Sequence, residues 1–225
     1  MKTVITGQLS TKIKQPVEKL IEKERNPIMH ILHTTPRTDG FCMPAEFDRH
    51  AGCLLIWPTR GDSWRSGGWP ARKAFAAVAA AIARSEEVTM LVAPEQYETA
   101  RAMLPPEVRL VEMGTDDSWA RDVCPTFVRN AEGTVRGIDW GFNAWGGLVD
   151  GLYFPWDKDN HAARKVCDLY RADCYDSRDF ILEGGSIHSD GEGTILTTES
   201  CLCSAGRNPD MTKAEIGEKL CSMLG

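Results

Sequence analysis

Asp116-Asp117-Ser118-Trp119-Ala120-Arg121-Asp122 packs three carboxylates, an arginine and an indole into seven residues. Neighbouring carboxylates repel, and burying them costs free energy unless donors or cations compensate. The cluster suits a flat cation. A guanidinium presents its donors in one plane, and a carboxylate accepts two of them side by side. An indole face can lie over the same cation. About sixty residues on, Leu182-Glu183-Gly184-Gly185-Ser186 supplies a second acid, with glycines that admit close backbone approach. Two acids from separate segments can grip one guanidinium from two edges.

Around these loops strand and helix patterns alternate. Cys53-Leu54-Leu55-Ile56-Trp57 reads as a buried strand ended by Pro58, and Val88-Thr89-Met90-Leu91-Val92 as another. Between them Pro70 opens a helix whose Phe75, Val78, Ala79 and Ile82 form a core stripe. Tyr97 to Leu104 is helical and stops at Pro105-Pro106; Val108 to Val111 is a strand that runs into the acidic loop. Thr126 to Val128 and Val135 to Trp140 flank an Asn130-Ala131-Glu132-Gly133 turn. Ala162 to Leu169 is a helix, Phe180-Ile181-Leu182 leads to the second acid, and Asp190 to Gly193 turns into Thr194 to Thr197. The order of strand, acid-bearing loop, strand and hairpin around Asp122 recurs around Glu183. Pattern alone gives an α/β fold with mixed strands. Repeated units of this kind, stacked about an axis, aim their loops at a common centre.

The acidic loop, with Pro125-Thr126-Phe127 after it, resembles the first acidic motif of the agmatine deiminases. Trp140-Gly141-Phe142-Asn143-Ala144-Trp145-Gly146-Gly147, Leu182-Glu183-Gly184-Gly185-Ser186-Ile187-His188 and Gly206-Arg207-Asn208-Pro209 follow in that family's order. The resemblance begins near Ile31, where Thr35-Pro36-Arg37-Thr38-Asp39-Gly40-Phe41 is similar to the family's opening, and runs to Gly225. It implies a five-bladed α/β propeller with the site on its axis, and hydrolysis of agmatine through a covalent amidino-cysteine intermediate. It implies Asp122 and Glu183 as guanidinium-gripping catalytic acids, with Trp119 and Asp117 toward the substrate. No metal or organic cofactor is implied, and homo-oligomers are. The family's His-x-Asp motif and catalytic cysteine have no counterpart in these 225 residues. The expectation is therefore the N-terminal part of a single deiminase domain over 29–225, truncated at the C-terminus. Two alternatives stay open: a peptidyl-arginine deiminase, and an inactive fragment that at most binds guanidinium compounds.

Composition narrows the classes. Hydrophobic content of 42% and charged content of 26% are ordinary for a globular chain. A formal net charge of -6 offers no basic excess for phosphates, so nucleic acid is not an expected partner. No run of 18 apolar residues is present, so no membrane span is expected. Eight cysteines in a chain of this length, with no secretory h-region before them, read as free thiols of a reducing cytoplasm. Residues 1–28 are lysine-rich and read as an extension, disordered or preceding a true start at Met29, with Val17, Leu20 and Ile21 available to one side of a short helix. At the other end Thr212-x-x-Glu215 is a capping box, and Ile216, Leu220, Met223 and Leu224 make an apolar side with no later strand to cover.

The remaining reactive side chains read as structural. Cys124 stands where the family pattern has glycine, among acids that disfavour a thiolate. Cys201-Leu202-Cys203 lacks zinc-type partners, and no metal site is expected. His188 points away from the Glu183 side of an extended segment. His50 reads as a loop residue. Arg121 is expected to pair with neighbouring acids rather than meet a cationic substrate, and the Asn143 to Gly147 loop to border the site.

Overall fold

A computed structural model describes residues 28–225. The extension at 1–27, with its proposed short helix, lies outside the described residues. The strands are β1 (Ile31–Leu32), β2 (Cys53–Ile56), β3 (Val88–Val92), β4 (Arg109–Glu112), β5 (Thr126–Arg129), β6 (Val135–Gly141), β7 (Cys174–Ile181), β8 (His188–Ser189) and β9 (Ile195–Leu196). The longer helices are α1 (Trp69–Ile82), α2 (Tyr97–Met103), α3 (Ala162–Tyr170) and α4 (Lys213–Leu224).

Three separate sheets result. β2, β3 and β4 lie parallel in that order, joined by crossovers through α1 and α2. Every residue of β3 is buried, as a central parallel strand covered on both faces requires. The second sheet runs β1-β7-β6-β5. Its β5–β6 hairpin is antiparallel, while β7 pairs parallel with both β1 and β6. Gly133 takes a left-handed φ of 82° in the hairpin turn, and Asn130 Oδ1 accepts from Thr134 N at 2.8 Å. β8 and β9 form a short hairpin of their own. The fold is mixed α/β as expected; the described residues do not by themselves close a ring of blades.

Two expectations change. Val78 is 49% exposed, and the buried side of α1 is made by Phe75, Ala76, Ala79, Ile82 and Ala83. At 100° per residue the contact arc is centred on Ala79, which leaves Val78 at its margin. The apolar side of α4 is also not left without a partner. Thr212 and Glu215 form the expected capping box. Ile216, Leu220, Met223 and Leu224 then pack with Phe41, Val128, Tyr175 and Phe180 against the chain's own second sheet. Met43 N donates to Leu224 O at 2.8 Å, tying the helix end to the segment before β2.

These two corrections give opposite mutational outcomes. Leu220→Ala should cost about 2–5 kcal/mol through lost burial and a cavity, whereas Val78→Ala should stay within about 0.5 kcal/mol. Chemical denaturation of both variants measures the difference.

Candidate active site

β2 and β4 run parallel, so the segments that follow them leave the same edge of the first sheet. Ser63 and Trp64 come after β2, and the acidic loop comes after β4. Asp117 joins them. Its carboxylate accepts from Ser63 Oγ at 2.6 Å, Trp64 Nε1 at 2.8 Å, Trp119 Nε1 at 3.0 Å and Ser118 N at 2.8 Å. At 1% exposure it is spent on protein donors and sits behind the indoles rather than at the surface. The two indoles it holds stack at 5.7 Å, and Trp145 meets Trp119 edge-on at 5.6 Å. Trp119 keeps 39% of its surface exposed.

Asp116 and Asp159 brace the same loop reciprocally. Asp116 accepts from Lys158 N at 2.8 Å, and Asp159 accepts from Asp116 N at 2.8 Å and Asp117 N at 3.1 Å. Tyr153 also donates to Asp159. Burial raises the Asp159 carboxyl to about 6.

Asp122 lies one turn on, in the helical turn Ala120–Val123. Its Oδ1 accepts from Gly185 N at 2.8 Å. A Cβ at Gly185 would stand 2.5 Å from that oxygen, and one at Gly184 would stand 2.2 Å from Arg121 O. The Gly184-Gly185 pair is therefore the condition for the two acid-bearing loops to touch. Arg121 clamps the contact, donating to Gly184 O at 2.9 Å and Ile187 O at 3.3 Å. Its acidic partner is not one of the neighbouring acids, as expected, but Glu46, far along the chain, at 2.5 and 3.0 Å.

Glu183 is 2% exposed and faces Arg207, whose Nε lies 3.0 and 3.3 Å from its two oxygens. Burial pushes both acids above the usual carboxylate range, and Asp122 adds to the rise at Glu183. Arg207 opposes that rise, while Gly185 N and Arg121 oppose it at Asp122. Two carboxylates and one guanidinium leave a net single negative charge, which matches one monovalent cation. Arg207 Nε engages one direction on each Glu183 oxygen, so acceptor positions remain.

All four sequence motifs converge here. Asn143 Nδ2 donates to Gly206 O at 2.7 Å, and a Cβ at Gly206 would stand 2.5 Å from Gly146 O. Ala144 and Trp145 are held at φ of 55° and 68°. A bulky residue in the left-handed region is strained, and the Trp145 side chain is one of the groups that hold the Asp122 carboxyl down against the effect of burial.

Asp122, Glu183 and Trp119 are thus brought together from the sequence-predicted set, with Asp117 behind them. Cys124 is not an available thiolate: burial, then Asp159, drives its thiol far up. The His188 side chain is 69% exposed, with Nδ1 3.8 Å from Glu46. Trp145 belongs to the loop expected to border the site; Arg207, Trp64 and Glu46 are the members that sequence reasoning did not assign. Arg207 stands inside a quoted motif, but nothing local marks it as the partner of Glu183.

Residues 42–225 match the Porphyromonas-type peptidyl-arginine deiminase family. The chain belongs to this family. A relative from Listeria monocytogenes is 59% identical over 188 residues, covering 84% of this chain and 52% of its own length. An agmatine deiminase of Pseudomonas aeruginosa is 55% identical over 188 residues, covering 83% of this chain and 51% of that protein. The solved agmatine deiminase of Enterococcus faecalis superposes with a TM-score of 0.85 at 50% identity, covering 87% of this chain and 54% of that one. The chain spans about half the length of the curated relatives it matches.

Within this member of the family, Arg207→Ala strands a buried carboxylate. A loss of about 3–5 kcal/mol is expected, and Glu183→Gln in the same chain should recover part of it. A double-mutant cycle by chemical denaturation measures the coupling.

Proposed function

We propose that this chain is the guanidinium-binding half of an agmatine deiminase. The whole enzyme would hydrolyse agmatine to N-carbamoylputrescine and ammonia inside a complete five-bladed α/β propeller. The observation that carries the reading is the Asp122–Glu183 pair, joined across the Gly184-Gly185 contact, with a net charge of opposite sign to one guanidinium.

Guanidinium resonance makes its carbon a poor electrophile. Asp122 and Glu183 hold the cation by charge-assisted hydrogen bonds from two edges, and Trp119 offers its face to the substrate. A thiolate then adds to the central carbon, and one C–N bond breaks. The leaving nitrogen takes a proton from a histidine and departs as ammonia. Water attacks the amidino-thioether, freeing the thiol and the urea product. The thiol and imidazole of those steps have no motif counterpart among these residues. Asp117 acts through Trp119 and Trp64, whose ring nitrogens it anchors.

The agmatine reading rests on relatives and a solved structure that carry that name at 50–55% identity. A second reading, deimination of arginine within peptides, has one observation in its favour: the matching family is described by that activity. Calorimetry separates them, with agmatine and a blocked arginine peptide as ligands.

Agmatine should bind the isolated chain and release no ammonia. Asp122→Asn and Glu183→Gln should each weaken binding about 10–100-fold, the worth of a hydrogen bond to a charged group. Binding requires both carboxylates ionised, and both are raised, so affinity should begin to fall at a higher pH than for an ordinary carboxylate. Equal affinity in wild type and both variants would sink the proposal. Ammonia from the isolated chain would assign the nucleophile to a cysteine already present, and preference for the peptide would favour the second reading.

A further inference from the structure

The N-terminal ends of β2 and β3 carry a second group of reactive side chains, at the edge of the sheet opposite the acidic loop. Cys53 opens β2, His50 lies three residues before it, and Glu86 lies two residues before β3. Gly52 permits the approach: a Cβ there would stand 2.8 Å from Glu87 O, the same carbonyl that accepts from Cys53 N at 2.7 Å. One imidazole nitrogen, the thiol sulfur and one carboxylate oxygen then lie within 4.8 Å of one another. His50 and Glu86 also line an open cavity of about 410 Å³ with Asp48 and Arg49.

Two details give this group a direction. His50 Nε2 is 2.7 Å from Glu46 O, which can only accept, so Nε2 carries a hydrogen. Nδ1 carries a lone pair in the neutral ring and a proton in the charged one, and the Glu46 carbonyl and Glu86 carboxylate raise the His50 pKa toward the charged form. Nδ1 faces Glu86 Oε2 at 3.4 Å, and that oxygen is buried without a hydrogen-bond partner. A cation between Nδ1 and Glu86 Oε2 satisfies both groups, either a proton on the ring or a metal ion in its place. A backbone carbonyl holding the far nitrogen is also how metal-binding imidazoles are oriented.

We propose that His50 Nδ1, Cys53 Sγ and Glu86 Oε2 bind a single zinc ion, with the fourth position open to the cavity. Nitrogen, sulfur and oxygen donors together suit zinc rather than calcium or magnesium. Tetrahedral zinc places such ligand atoms about 3.3–3.8 Å apart, and the half-exposed His50 ring and the Glu86 stem have room to close in. On binding, the Cys53 thiol gives its proton to solvent. Thiolate and carboxylate then balance the dication, and the neutral imidazole adds no charge. His50-x-x-Cys53 is visible in the sequence, but its third ligand comes from across a crossover, so spacing alone does not reveal the site.

The test titrates metal-free chain with zinc alone against a chromophoric chelator, and with cobalt to detect thiolate coordination by its charge-transfer absorption. One ion per chain is expected, with a cobalt–thiolate band and a rise in Tm on adding zinc. Cys53→Ser, His50→Ala and Glu86→Gln should each weaken binding at least about 100-fold, since even changes behind the ligands reach that order. Cys201→Ser/Cys203→Ser should leave binding unchanged. Absence of stoichiometric binding, or undiminished binding in Cys53→Ser, would overturn the proposal. Should His50→Ala fail to fold, the near-isosteric Cys53→Ser carries the test: zinc should raise the Tm of the wild type and not of this variant.

Discussion

Two carboxylates within electrostatic reach of each other, Glu183 buried and Asp122 half-buried, must be supported by the groups around them, and much of the structure supplies that support. Glu183 is held by Arg207. Asp122 is held by the backbone of Gly185, with Arg121 and Trp145 beside it. Each support needs its own fixed point. Asn208 fixes the Arg207 loop, receiving Ile181 N at 3.0 Å and donating to Ile181 O and Leu202 O. Arg121 is fixed by Glu46, which belongs to the segment before β2. The glycines at 184, 185 and 206 stand where any side chain would separate the loops. After Arg207, the pair keeps one negative charge that a single bound cation would balance.

The same constraint explains the division of labour among the acids of the opening motif. Asp116 and Asp117 are consumed in holding backbone and indoles, and only Asp122 keeps acceptor capacity toward the second loop. Three acids within seven residues therefore take three places: Asp116 braces the loop, Asp117 anchors the indoles and Asp122 meets the second loop.

Much of this was legible in the sequence. β2, β3 and the helix between them show because their apolar runs and proline punctuation are local. The acid-bearing loops show because carboxylates beside tryptophan and glycine are costly without a use. What stays hidden is pairing across distance. β7 is longer than Phe180-Ile181-Leu182 suggests, because Asp176, Arg178 and Asp179 interrupt its apolar pattern while its backbone still pairs with β6. The cover for α4 is the chain's own second sheet, and no local pattern says which sheet a helix will choose. Arg207 was visible as a residue, yet its role depends on Glu183, 24 positions earlier. Asp117 invited a place at the substrate, but the loop after β2 supplies enough donors to consume it.

A carbon-detected NMR titration of the Asp122 and Glu183 side-chain carboxyls, with and without agmatine, tests most directly whether the two acids hold one guanidinium together. In the free chain both should titrate above the ordinary carboxylate range. With agmatine bound both should move down, since a cation gripped by both favours the ionised form of each. Movement of only one carboxyl, or of neither, would contradict the shared seat.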